Sequence, residues 1–258
     1  MSPSSQFTPR HSVCKWCYDT YSLDELAQIA KRLGIESIEL VNPSEYPILK
    51  AHGLTAAVTW GVPGGIENGL NRLENHDAIV AYFEHDLPLA KQGGSPNIVC
   101  FSGNRDGMDD QEGLENCITG LKRIAPLAEK HGVTTILELL NSSHDHPDYM
   151  ADSTAWGIEL CRRVGSERVK LLYDIYHMAT MGEDVIANIR EFHPFFAHYH
   201  TGGVPGRHEI DDSQSLDYPT IIRTIVDTGY TGFIGQEFIP TAANPIASLE
   251  KAIQICNI

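Results

Sequence analysis

Three carboxylates and an imidazole recur at intervals that could gather them around one cation. Glu138 closes the run Thr135-Ile136-Leu137, Asp174 closes Leu171-Leu172-Tyr173, and Glu237 closes Ile234-Gly235-Gln236. His198 and His200 alternate within Phe195 to Thr201 and therefore share a face. From Glu138 to Asp174, on to His200 and on to Glu237 the steps are 36, 26 and 37 residues, each about one strand plus one helix. Brought to one mouth of an apolar barrel, three carboxylates cannot all stay ionised without a counter-charge, because like charges a few ångströms apart raise one another's pKa. A divalent cation supplies that charge. Three oxygens and one nitrogen suit Mn, Mg, Co or Zn better than Ca or a thiolate-seeking metal. Singly, each residue has an ordinary reading: a strand-end carboxylate caps the next helix, and a buried histidine satisfies a backbone group. Four on successive strands point to a site.

Further polar groups fall close by. His177 lies three residues past Asp174, just beyond the strand end. Arg207, in the loop after strand seven, is suited to clamping a carboxylate or phosphate through a bidentate pair, although Glu209, Asp211 and Asp212 beside it also fit an ordinary exposed cation. Lys15, at the end of strand one, is a second candidate anchor for a substrate carboxylate. Trp16 and Trp60 stand where they could wall a pocket or pack the barrel mouth. Glu39 reads as one half of a structural ion pair. Cys14 and Cys17 form C-x-x-C at a strand end rather than at a helix start, which argues against a redox pair.

These residues need a scaffold, and the chain supplies an alternation of strand and helix signals. Strands are expected at 12–16, 35–41, 54–60, 97–101, 133–139, 169–174, 195–201 and 232–238. Helices between them start at a Ser22/Glu25 capping box, near Pro43, Asn75, Leu114, Ser153 and Glu183, and at Tyr218 and Asn244-Pro245. Pro126 is expected to kink the fourth long helix. Connections after helices are short, whereas those at 61–74, 102–113, 141–152 and 202–216 are long. In a single (β/α)8 TIM barrel all four long loops sit on the face where strands end, which is where barrel enzymes carry their chemistry. Residues 11–258 read as that one domain, and residues 1–10 as a disordered leader. A doubly wound open sheet is the competing architecture, but no GxGxxG loop follows the first strand, so a nicotinamide or flavin is not indicated.

With 258 residues, 42% hydrophobic and 21% charged, the chain can bury a sizeable core. A formal net charge of -15 repels phosphate backbones and anionic headgroups, so a small molecule is the expected partner and neither nucleic acid nor membrane is. A homo-oligomer stays open. No apolar run approaches the ~20 residues that span a bilayer. Six scattered cysteines fit a reducing compartment, with the cytoplasm as the expected location.

The segments LELLNS at Leu137 to Ser142, LYDIYH at Leu172 to His177, HYHTGGVPGRHEIDD at His198 to Asp212 and IGQEF at Ile234 to Phe238 resemble the hydroxypyruvate isomerase group of the xylose-isomerase-like TIM-barrel superfamily of sugar isomerases and epimerases. The resemblance covers most of the chain. It implies one divalent metal held by Glu138, Asp174, His200 and Glu237, with Glu138 and Glu237 doubling as the acid/base pair. It implies substrate-anchoring roles for His177 and Arg207, and matches Asn141 to the polar residue that follows the strand-five glutamate. Lys15 and Trp60 complete the expected substrate-binding set. One departure bears on the substrate: bacterial hydroxypyruvate isomerases often carry Gln where this chain has His200, and ketose 3-epimerases carry His.

The expected activity is metal-dependent isomerisation of a small hydroxy-keto acid, of the hydroxypyruvate to tartronate semialdehyde type, through an enediolate. A ketose 3-epimerase or a 2-oxotetronate isomerase is the alternative. A phosphodiester-cleaving enzyme of the same superfamily would want a basic groove, which the charge opposes. A non-catalytic barrel that keeps its metal for stability and binds a sugar acid is the remaining reading.

Overall fold

The computed structural model describes residues 9–258. Eight parallel strands run β1 (Arg10–Cys14), β2 (Ser37–Glu39), β3 (Val58–Thr59), β4 (Asn97–Cys100), β5 (Thr134–Glu138), β6 (Val169–Asp174), β7 (Phe196–Thr201) and β8 (Phe233–Gln236), hydrogen-bonded in the order β2-β1-β8-β7-β6-β5-β4-β3. The ring closes where β2 meets β3. There the ladder is replaced by two parallel bridges, Ser37 to Thr55 and Val41 to Thr59, with Ile38 N donating to Thr55 O and Leu40 N to Val58 O. The cause is local. Leu40 takes a φ of 58°, which ends the extended run, and the Ser37 hydroxyl accepts from Ala57 N in place of a backbone carbonyl. The expected strands at 35–41 and 54–60 are therefore much shorter, and the expected TIM barrel stands with one irregular seam.

The helices are α1 (Leu23–Arg32), α2 (Tyr46–Ala51), α3 (His76–Gly93), α4 (Asp110–His131), α5 (Thr154–Val164), α6 (Ile175–Thr180), α7 (Val185–Phe192), α8 (Tyr218–Asp227) and α9 (Pro245–Cys256). The capping box at Ser22 and Glu25 and the Asn244 cap with Pro245 form as read. Helix α4 starts four residues earlier than expected, because Asp109 Oδ1 accepts from Gln111 N and Glu112 N, and it runs through Pro126. Helix α6 was not anticipated as a separate element. It exists because Asp174, the last residue of β6, also caps it by accepting from His177 N at 3.0 Å.

Two boundaries change near the start. Arg10 pairs with Phe233 as the first residue of β1, so the expected leader cannot include it; residues 1–8 of that leader lie outside the described residues. Strand β1 ends at Cys14, and Lys15–Tyr18 form a single helical turn that turns Lys15 and Trp16 away from strand geometry. Among the described residues no helix is long and apolar enough to cross a membrane.

Side-chain alternation sends Ser12, Cys14, Ser37, Glu39, His198, His200 and Gly235 to the inner face, where Ser12 Oγ donates to Ser37 Oγ and both histidines reach Glu39. This is polar filling for a barrel, and it concentrates on one side, around β1, β2, β7 and β8. The opposite half and the helix-facing layer are apolar, with Ile98, Ile136, Leu137, Leu171 and Leu172 buried.

Candidate active site

Strand register does the gathering. Asp174 is level with His200 across β6 and β7, and Thr201 is level with Gln236, so Glu237 follows one step beyond the end of β8. Glu138 ends β5 level with Leu172. Glu138, Asp174, His200 and Glu237 each present one ligand atom within 4.8 Å of the others, and all four are buried. His200 Nδ1 is 2.7 Å from Glu237 Oε2, 3.4 Å from Glu138 Oε1 and 4.0 Å from Asp174 Oδ2, yet none of these contacts is aligned as a hydrogen bond.

The other ring nitrogen explains the arrangement. His200 Nε2–H donates to Glu39 Oε1 at 2.8 Å, and His198 Nε2–H donates to the same oxygen at 3.0 Å. The Cys14 thiol donates to it at 3.3 Å. With Nε2 protonated and committed, Nδ1 is left to face three carboxylate oxygens. A cation between them would turn that crowding into coordination, since ligands bonded at about 2.0–2.2 Å lie no more than about 4.4 Å apart. The donor set therefore fits a divalent cation with mixed oxygen and nitrogen ligation.

The electrostatics carry the strain of that assembly. Burial pushes Asp174 up to about 8, with Glu237 adding to the effect against Arg207. Burial likewise raises Glu138, against a hydrogen-bonding pull from His200. Burial would also raise Glu237, but Arg207 and His200 together hold it well below the usual carboxylate range. His200 is buried, which lowers an imidazole, yet Glu237 and its other neighbours carry it well above the ordinary value. Metal-free, the cluster shares protons among groups that cannot all be charged.

The remaining expected residues fall as follows. Arg207 is not the exposed loop cation its neighbours allowed: its side chain is 11% exposed and Nη2 donates to Glu237 Oε2 at 2.5 Å and to Asp174 Oδ2 at 3.4 Å. His177 is fully buried beside Asp174; Asn141 Nδ2 donates to its Nδ1 at 2.8 Å, which leaves Nε2–H without a partner, 3.6 Å from Asp174 Oδ2. Burial keeps this imidazole well below its usual pKa. Asn141 spends its other hydrogen bonds on the loop, donating to Asp145 Oδ2 and accepting from His144 N and Asp145 N. Trp60 stands in the pocket wall, edge-on to Phe101 at 5.3 Å. Lys15 is not brought to the pocket. Its ammonium pairs with Glu45, because the turn after β1 carries it outward.

A cavity of about 390 Å³ opens above the cluster, lined by Trp16, Leu40, Trp60, Ile66, Glu138, Leu140, His146, Arg207 and Glu237. A larger depression of about 990 Å³ lies on the outer wall between α2 and α3, remote from the carboxylates, and brings together no comparable set of titratable groups. Reading by residue type undervalued Trp16, whose Nε1–H donates to Glu237 Oε1 at 2.8 Å while its ring faces the Arg207 guanidinium at 5.1 Å. It missed His146 and Tyr176. The only signal for His146 was its place in a long loop on the strand-end face.

The family described as "Xylose isomerase-like TIM barrel" matches residues 18–256. The chain belongs to that family. Within the xylose isomerase-like barrels, a human protein named "Putative hydroxypyruvate isomerase" is 27% identical over 241 residues, covering 87% of this chain and 87% of the relative. A "2-oxo-tetronate isomerase" of Cupriavidus necator is 29% identical over 231 residues, 85% of this chain and 88% of the relative. The crystal structure titled AP endonuclease, family 2, from Brucella melitensis superposes with a TM-score of 0.83 at 24% identity, covering 94% of this chain and 97% of that one, which shows the shared barrel.

Two measurements test the cluster. Between about pH 4 and 8 the folded metal-free protein holds a proton on Asp174 that the unfolded chain has released, so its stability falls as pH rises across that window. Thermal unfolding of chelated protein should show a lower Tm at pH 8.5 than at pH 6, and saturating Mn²⁺ should remove the difference. Glu39→Gln keeps the volume but removes the charge behind His200, and calorimetric titration of Mn²⁺ into metal-free protein should show affinity weakened about 10–100-fold.

Proposed function

We propose that this protein is a metal-dependent isomerase of a small hydroxy-keto acid, of the hydroxypyruvate or 2-oxotetronate kind. The observation that carries the reading is that two glutamates, Glu138 and Glu237, line one cavity with the Arg207 guanidinium and lie 3.4 and 2.7 Å from His200 Nδ1. The curated relatives named for these two activities align over more than four fifths of the chain.

The chemistry sets the demands. Moving a carbonyl to the neighbouring carbon requires a proton to leave the hydroxyl-bearing carbon, with the C–H electron pair passing into the old carbonyl to form an enediolate. A proton then returns at the former carbonyl carbon, while the hydroxyl proton passes from the oxygen that becomes the new carbonyl to the oxygen that was the old one, so nothing is oxidised or reduced overall. Glu138, Asp174, His200 and Glu237 would hold a divalent cation, which would supply electrophilic stabilisation of the negative charge that develops on the substrate oxygens. A glutamate carboxylate at the cavity wall takes the proton and a carboxyl returns it, a role in which positioned acid–base groups contribute about 10²–10⁴-fold. Arg207 spends Nη2 on Glu237 and Asp174 and has no partner at Nε, so the rest of its fork is available to a substrate carboxylate. His177 offers its unpartnered Nε2–H next to Asp174. Trp16, Leu40, Trp60 and Ile66 give the cavity an apolar wall.

A second reading, ketose 3-epimerisation, is favoured by His200 itself, the residue type that epimerases of the superfamily carry at this position. The same acid–base pair would serve it by returning the proton to the opposite face of one carbon. The acidic surface disfavours phosphodiester cleavage. A reducing, cytoplasmic setting fits six free cysteines, five of them buried.

The test is solvent deuterium incorporation, followed by NMR, into hydroxypyruvate, 2-oxotetronate and a ketose panel. Mn²⁺-loaded protein should exchange at least one acid, chelator should abolish the exchange, and Glu237→Gln should lower it at least 100-fold with the Tm retained. Full exchange by that variant would remove the acid–base assignment.

A further inference from the structure

We propose that His146 is a specificity-determining residue, hydrogen-bonding a hydroxyl one carbon beyond the reacting pair, so that the substrate is a hydroxy-keto acid of four or more carbons rather than hydroxypyruvate. The inference rests on the isomerase reading above and narrows its substrate.

The cavity wall carries four polar groups of note, and three are already engaged by a three-carbon acid. Glu138 and Glu237 face the reacting carbons, and Arg207 takes the carboxylate. His146 is left over in a wall otherwise built from leucine, isoleucine and tryptophan. Its hydrogen bonds to described residues are backbone ones, with its N donating to Asn141 O at 3.2 Å and its O accepting from Tyr149 N at 3.0 Å. The imidazole packs edge-on against His177, ring centroids 5.3 Å apart, a contact that uses neither ring nitrogen for a hydrogen bond.

The loop that presents it is stiff. The Tyr149 hydroxyl donates to Glu138 O at 2.9 Å and accepts from Ser102 N at 3.0 Å. Arg105 donates to Met150 O and to both oxygens of Asp152, and also bonds Tyr149 O. The imidazole is half-buried, and no group among the described residues bonds its ring nitrogens, so both are free to exchange water for a ligand hydroxyl. Imidazole with one donor and one acceptor matches a hydroxyl, which is both. The cavity's 390 Å³ leaves room for an acid longer than three carbons.

The experiment compares hydroxypyruvate with 2-oxotetronate as substrates of the Mn²⁺-loaded wild type, His146→Phe and His146→Gln, reading kcat and KM by deuterium exchange. The wild type should show the higher kcat/KM for the four-carbon acid. His146→Phe should lower that value roughly tenfold, through KM, and leave hydroxypyruvate within about twofold. His146→Gln, which keeps a donor and an acceptor, should recover part of the loss and also serves if the phenylalanine variant does not fold. Equal losses on both acids, no loss on either, or a wild-type preference for hydroxypyruvate would overturn the role of His146 while leaving the isomerase reading intact. Exchange into neither acid by the wild type would overturn the isomerase reading and this inference with it.

Discussion

A single carboxylate oxygen, Glu39 Oε1, organises the floor of the site. It accepts from His198, His200 and the Cys14 thiol at once, in a fully buried position. Burial alone would push this carboxyl up; the two imidazoles reverse that and hold it ionised. A buried charge is tolerable only when paired and hydrogen-bonded, and Glu39 meets that condition through the groups it orients. The direction of the His200 ring follows, because committing Nε2 to Glu39 leaves Nδ1 to the three carboxylates above. Gly235 belongs to the same constraint. A Cβ there would stand 2.1 Å from Glu39 Oε1 and 2.7 Å from His200 Cδ2, so only glycine lets the pair meet.

Above that floor the barrel holds charges that repel one another, and the strand ladder gives them little freedom to separate. Asp174 illustrates the double duty involved. Its Oδ1 caps α6 through His177 N, while its Oδ2 faces His200, Arg207 and His177 Nε2. The cap fixes the carboxyl's direction, so relief has to come from a proton or a cation rather than from rotation. That is why the site's stability and its proton content are coupled, and why a cation held there would be coupled to both.

Much of this was legible from residue types. Strand ends were readable at Glu138 and Asp174 because apolar runs stop there, and the alternation of His198 and His200 was enough to put both on one face. Glu39 was also read as an ion-pair member, but nothing in the local sequence says that its partners lie some 160 positions away, at His198 and His200. The failures have physical causes. Leu40 adopts a left-handed backbone that no propensity rule anticipates for leucine, which shortens β2 and opens the seam. Lys15 was assigned to the pocket by strand extrapolation, and one helical turn after Cys14 sends it to Glu45 instead. Asp109 to Glu112 read as polar loop although the first of them is a cap, since helix starts and loops share the same residues.

The rim is as strongly determined as the floor, and Arg207 shows how. Its φ of 59° lies in the left-handed region, which costs a non-glycine residue on the order of 1–3 kcal/mol and persists only where neighbours over-determine it. Here its N donates to Gly203 O at 2.8 Å, its carbonyl accepts from Ile239 N at 2.6 Å, and the guanidinium lies against the rings of Trp16 and Tyr176. Tyr176 in turn donates to Asp145, which holds Asn141, which holds His177. The loops after β5 and β7 are thus tied through helix α6 around the cavity mouth. A rim built this way presents its cation at a fixed point over the carboxylates. It follows that discrimination among substrates depends on what the remaining wall residues can reach from that point.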